Sequence, residues 1–182
     1  MYGLIDPASL LRFDFGPQHP FKIFRLGLTH ELMRAYGLVD RPDVLVLPPR
    51  EATEEEALAF HSQGYLETLR VASDGMWVPN LFAHGLGTSD NPVFPDVYNW
   101  AMGVAGASIV CAEQLLEGTV SRAFNPSGGL HHAMPSRAAG FCHVNDVVLA
   151  IHRLIRDGKR VAYVDIDAHH GDGVYYAFAS DP

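Results

Sequence analysis

Residues 161–174, VAYVDIDAHHGDGV, restrict the fold more than any other stretch of this chain. They open with β-type apolar residues: Val161, Tyr163, Val164 and Ile166. Asp165, Asp167 and His169 follow at alternate positions. Side chains two apart on an extended strand share a face. The pattern therefore predicts two carboxylates and an imidazole along one edge, where the strand ends. Gly171 and Gly173 supply the sharp turn. Such a strand belongs in an open α/β sheet, where ligands gather at the carboxyl ends of the strands. Its oxygen and nitrogen donors suit Zn²⁺ or a similar divalent ion. A lone Asp or His at a strand end is usually a cap or a solvated residue. Three in alternation, followed by His170 and Asp172, favour a metal site instead.

The rest of the chain alternates helical and extended patterns. Residues 1–24 read as irregular, broken by Pro7, Pro17 and Pro20. Residues 25–36 place Leu26, Leu28, Leu32 and Met33 among polar residues, an amphipathic helix closed by Gly37. Residues 44–47 read as a short buried strand before Pro48 and Pro49. Thr53 and Glu56 form a capping-box pattern for a helix running to about residue 61. A second helix is expected at 64–72. Residues 74–95 are a long loop rich in glycine and proline, and loops of that length are often functional. The longest uncharged run is residues 97–112, short of the ~20 that a membrane-spanning helix needs. Its Gly103, Ala105, Gly106, Ala107 and Ser108 predict a buried helix packed closely on a sheet. Residues 121–125 read as a strand, 145–156 as a helix stopped by Asp157-Gly158, and 174–179 as the start of another. This order predicts one α/β domain over residues 1–182, a parallel sheet covered by helices.

Composition narrows the function. The 182 residues carry a formal net charge of −8, which argues against nucleic acid as a partner. An acidic surface attracts basic segments such as lysine-rich tails. Cys111 and Cys142 form no CxxC pair, which excludes a thiolate zinc knuckle. The expectation is a reducing, cytoplasmic setting. The N-terminus has no secretion-signal pattern and no membrane segment is expected.

Six of the ten histidines fall between residues 131 and 170. His131 and His132 are adjacent and follow Gly128-Gly129 at the end of an expected strand. Two neighbouring imidazoles beside a metal could act as general base and general acid near neutral pH. Asp165 and Asp172 are then free to pair with them, since a carboxylate behind an imidazole fixes its tautomer and raises its basicity. Asp167 and His169 remain as the ligand set, one fewer than the three protein ligands of a usual catalytic zinc.

GGLHHAMPSRAAGFCHVND and VDIDAHHGDGV closely resemble the two leading motifs of the zinc-dependent histone deacetylase family. Bacterial members, including those named for acetoin utilisation, look nearest. HPFKIFRLGLTHELMRAYGL is similar to the family's first helix, and HGLGTSDNPVF to its substrate-binding loop. The resemblance implies the arginase/deacetylase fold, a three-layer α/β/α domain on a parallel sheet of about eight strands. It implies hydrolysis of N-acetyl-lysine, with Zn²⁺ (or Fe²⁺) at Asp167 and His169. It makes His132 the base and later acid, His131 its electrostatic partner, and Asp165 and Asp172 the carboxylates behind them. Gly140 and Phe141 resemble the tunnel wall around the acyl-lysine stem, and Asp90 the rim carboxylate. Arg25 resembles the arginine near the acetate-exit channel. A structural K⁺ is implied at Asp165, Asp167 and His169. The implied partners are acetylated proteins or small acetylated amines such as acetylpolyamines. Oligomeric state is open.

The chain departs from the family pattern at His143, where many members have Tyr; tuning is expected there and no change of chemistry. The family's third zinc ligand, an aspartate, and its oxyanion tyrosine belong to later motifs that are not in this sequence. The sequence thus resembles the first half of a deacetylase, expected to be inactive by itself. Two other classes compete. A two-manganese ureohydrolase of the arginase type would need Asp165 or Asp172 as ligands. A protein that only binds acyl-lysine or a partner would not need the full His131, His132, Asp165, Asp172 set.

Overall fold

The structure is a computed structural model and describes residues 1–180. Its elements in chain order are β1 (Tyr2–Ile5), α1 (Phe24–Ala35), β2 (Val44–Leu47), α2 (Glu54–Ala57), α3 (Gln63–Ser73), α4 (Val97–Leu116), β3 (Arg122–Phe124), α5 (Asp146–Arg156) and α6 (Asp172–Phe178). Short 3-10 turns at Ala8–Leu10 and Leu81–His84 interrupt the loops. The sheet has the order β2-β1-β3, and both pairings are parallel. The α/β class is therefore as expected. Among the described residues no helix is long and apolar enough to cross a membrane.

The central strand, β1, lies in the stretch expected to be irregular. Its four residues carry a glycine and precede Pro7, which hides the strand pattern. The glycine leaves room for its neighbour: a Cβ on Gly3 would lie 2.8 Å from Leu47 Cδ1 and push that side chain aside. β2 falls at the expected place, but only Leu47 is buried.

α4 is the organising helix of the core. Trp100, Ala101, Val104, Ala105 and Ile109 are all buried against neighbours. Its small residues answer to a loop as well as to the sheet. A Cβ on Gly106 would lie 2.1 Å from the Arg50 carbonyl. The Ala52 N–H donates to the Met102 carbonyl at 2.8 Å. α2 starts with the expected capping box: Thr53 Oγ1 accepts from the Glu56 N–H, and the Glu56 carboxylate accepts from the Thr53 N–H. The helix itself stops at Ala57, short of residue 61.

Two expectations about buried apolar residues are corrected. In α1 only Leu26 is buried. Leu28 and Leu32 face out, in line with Phe24 and Tyr36 at four-residue spacing, so its long apolar stripe is exposed. The second correction concerns residues 161–166, which form no strand. No described residue pairs with their backbone, and Val164 and Ile166 are 79% and 95% exposed. A strand needs a partner ladder. Here aspartates bond their own chain instead: Asp165 Oδ1 accepts the Asp167 N–H at 2.9 Å, and Asp167 Oδ1 accepts the His169 N–H at 2.7 Å. Such local bonds compete with sheet formation.

Candidate active site

Two loops and two helix starts meet at one cleft of about 870 Å³. The first loop descends from β3 through Gly128-Gly129 to His131 and His132. The second is the extended stretch 161–170, which leads into α6. Arg25, Asp90, His131, His132, Gly140, Phe141, Asp165, Asp167 and His169 all line the cleft. Asp172 stands behind His132, on the first turn of α6.

Each histidine of the tandem is held by its own carboxylate. His131 Nδ1 lies 2.7 Å from Asp165 Oδ2, and His132 Nδ1 lies 2.7 Å from Asp172 Oδ1. Carboxylates only accept, so both Nδ1 atoms carry the proton and both Nε2 atoms are left for chemistry. Those two Nε2 atoms lie 3.2 Å apart.

Tyr163 is a member of this network that sequence reasoning missed. Its hydroxyl donates to Asp165 Oδ2, the same oxygen that meets His131. That bond above all, helped by the Asp167 N–H and His131, holds the Asp165 carboxyl down to about 2. The effect runs the other way on the phenol, whose pKa rises through the partial desolvation of its hydroxyl and then through Asp165. Tyr163 reads in sequence as one more β-former, and only its position two before Asp165 could have marked it.

The cleft wall is a tight turn. Ala139 and Cys142 exchange two backbone hydrogen bonds, 3.1 and 2.8 Å, around Gly140 and Phe141. Both central residues have positive φ, 50° and 72°, as a two-residue type I′ hairpin loop requires. A non-glycine residue pays strain there, and Phe141 sits at the cleft wall. Gly140 has a steric reason as well: a Cβ would lie 2.4 Å from the His132 ring. The Gly140 carbonyl accepts from the Cys142 thiol at 3.2 Å and keeps a second lone pair. Burial pushes the Cys142 thiol up to about 12, so it stays a neutral donor.

The rim is pinned from below by two buried histidines. His19 Nδ1 accepts the Phe21 N–H at 3.0 Å, which leaves Nε2–H to donate to the Asp90 carbonyl at 3.1 Å. His143 Nε2 lies 3.1 Å from the Pro92 carbonyl. His143 is wholly buried among Phe15, Phe94 and Trp100, so it acts through the loop and does not reach the cleft. The Asp90 side chain is exposed at the rim. Arg25 stacks its guanidinium over the Phe21 ring at 4.7 Å.

Asp167 and His169 face each other across 3.0 Å, Oδ1 to Nδ1. The His169 N–H and then its ring hold the Asp167 carboxyl below the usual carboxylate range. This contact is a hydrogen bond, Nδ1–H to Oδ1, so a zinc ion held by the oxygen-nitrogen pair would take the place of that proton. Among the described residues no group of three or more such donors converges. The His169 ring lies 6.0 Å from that of His132, centroid to centroid, so the donor pair and the tandem share one space.

Comparison with known proteins shows the family. Residues 19–182 match the histone deacetylase domain. Histone deacetylase 2 of Oryza sativa subsp. japonica is 43% identical over 169 residues, 91% of this chain and 33% of the relative. Type-1 histone deacetylase 1 of Dictyostelium discoideum is 41% identical over 90% of this chain and 33% of its own length. The crystal structure of a histone deacetylase homologue from Aquifex aeolicus superposes with a TM-score of 0.87 at 35% identity, covering 97% of this chain and 47% of that one. The chain thus spans about a third of the length of the curated relatives it matches and just under half of the solved homologue. Its α/β architecture is the arginase/deacetylase fold, and the chain belongs to the histone deacetylase domain family.

Proposed function

We propose that the complete protein hydrolyses the acetamide of N-acetyl-lysine in acetylated proteins, or that of a small acetylated amine. The observation that carries this reading is the pair of His–Asp couples beside an Asp–His donor pair in one cleft. Asp167 and His169 would hold Zn²⁺, or Fe²⁺, together with a further ligand. When bound, such an ion supplies Lewis acidity: it polarises an acyl oxygen and lowers the pKa of water.

The chain's own residues do the rest. The Phe141 ring packs on the lysine methylenes, and the free lone pair of the Gly140 carbonyl accepts the substrate amide N–H. Asp90 at the rim accepts from the substrate backbone. His132 Nε2 takes a proton from the attacking water as the new C–O bond forms, and Asp172 stabilises the imidazolium. His132 then returns the proton to the amine nitrogen as the C–N bond breaks, leaving lysine and acetate. His131, tied to Asp165, tunes the charge beside it. Arg25 would meet the departing acetate. K⁺ at Asp165, Asp167 and His169 would hold the outer stretch in shape.

The engagement of Asp165 and Asp172 with histidines weighs against a two-manganese ureohydrolase, which would need them as ligands. The test is metal analysis and hydrolysis of an acetyl-lysine peptide by the complete protein. One Zn²⁺ per chain with release of acetate is expected. Two Mn²⁺ per chain with cleavage of a guanidino substrate would overturn the reading. Binding of the peptide without turnover would do the same.

A further inference from the structure

The tandem histidines sit on a loop, and a loop holds catalytic geometry only if something holds the loop. Here the first turn of α5 does so. Asn145 is fully buried, and every polar group it owns is used. Its Nδ2 donates to the carbonyls of His131 at 3.3 Å and Ala133 at 3.0 Å, the residues on either side of His132. Its Oδ1 accepts the Val148 N–H at 3.0 Å and caps α5. Its backbone carbonyl accepts the Leu149 N–H, and its N–H donates to His61 Nε2 at 3.0 Å. That last bond needs a neutral His61.

The next residue grips the same loop upstream. The buried Asp146 carboxylate accepts the N–H groups of Gly129 at 3.1 Å and Leu130 at 2.7 Å, and the Ser108 hydroxyl. Gly128 is glycine because a Cβ there would lie 2.4 Å from Asp146 Oδ2. The start of α6 packs on the same junction. A Cβ on Gly173 would lie 2.4 Å from the Ala133 carbonyl, 2.5 Å from the His131 carbonyl and 2.6 Å from Asn145 Nδ2. Asp172 is the residue just before Gly173. Asn145 thus touches both parts that must meet, the loop that carries His132 and the turn that carries Asp172.

We infer that Asn145 is a positioning residue: its side-chain amide fixes the peptide groups around His132, so that Nδ1 meets Asp172 and Nε2 faces the cleft. Its importance for rate rests on the reading of His132 as the base. Asn145→Ser and Asn145→Asp both keep an oxygen to cap α5 and remove the amide donor. In the complete protein each lowers kcat by about 100-fold, the cost of a small misplacement. KM for an acetyl-lysine peptide stays within about twofold, because Asp90 and Phe141 are untouched. The low-field Nδ1–H proton resonance of His132 moves or broadens in both variants. Wild-type kcat with an unmoved resonance would overturn the inference, and so would a lowered melting temperature alone. In the wild-type protein the Asn145 side-chain amide protons exchange slowly; rapid exchange there would overturn it without any variant. If the wild-type protein releases no acetate, the deacetylase reading falls, and the resonance and the exchange still decide the positioning claim.

Discussion

The two walls of the cleft are built by different means. Residues 127–146 are tied to α4, α5 and the rim by buried hydrogen bonds from Ser108, Asn145 and Asp146. Residues 161–170 lie at the surface, held by bonds from Asp165 and Asp167 to their own chain and by one bond across the cleft, from Asp165 to His131. The first wall carries both imidazoles of the tandem, and the second carries Asp165 and the Asp167–His169 pair proposed to hold a metal. Proton transfer tolerates little error in distance, whereas a metal gathers its own ligands as it binds. The buried wall is therefore preorganised within these residues, and the outer wall is the part whose shape an ion or further packing would complete.

This contrast can be broken or sharpened by stability measurements. The largest effect is expected from pH. Burial pushes both His61 and His143 down to about 4, against about 6.5 in an unfolded chain. Above pH 6.5 both states are neutral and nothing changes. As pH falls below 6.5 the unfolded chain takes up protons first, so stability drops until about pH 4, where the native state also protonates. The loss is on the order of 3 kcal/mol per histidine, read from urea unfolding at pH 7 and pH 4.5. Replacing both by Gln should flatten that dependence. A profile that stays steep would place the titrating groups elsewhere.

A smaller loss is expected from Asp146→Ala, about 3 kcal/mol, because the N–H groups of Gly129 and Leu130 lose their buried acceptor. Chemical denaturation measures it, and a change under 1 kcal/mol would show that the loop is held by other means. The smallest effect is expected on the outer wall. Ile166 is 95% exposed, so Ile166→Ser should shift the stability of this 182-residue chain by no more than about 0.5 kcal/mol. A loss comparable to that of Asp146→Ala would erase the difference between the walls.

Much of the scaffold was legible in the sequence because its signals are local. The Thr53–Glu56 box, the small residues of α4 and the Asn145 start of α5 each announce themselves within a few residues. β1 does not, because a four-residue strand with a glycine has too little pattern and draws its meaning from Leu47 and β3. The α1 stripe and residues 161–166 mislead for a related reason. Apolar periodicity says which residues could be buried, and only a partner decides whether they are. In the site, the residue types with obvious chemistry stand out from spacing and from family motifs. Tyr163, Asn145 and Asp146 do not, since a tyrosine in a β pattern and an Asn-Asp at a helix start each have an ordinary structural use. Their second use appears only when distant segments are brought together.

The most direct test of the account is the complete protein with His132→Ala, assayed for acetate release alongside zinc content. His132 touches Asp172 and His131 but neither Asp167 nor His169 by hydrogen bond. The expected result is one Zn²⁺ per chain, as in the unsubstituted protein, with turnover reduced by about 100-fold to 10,000-fold. Turnover that survives the substitution, or zinc that is lost with it, would contradict the division of labour between the two walls.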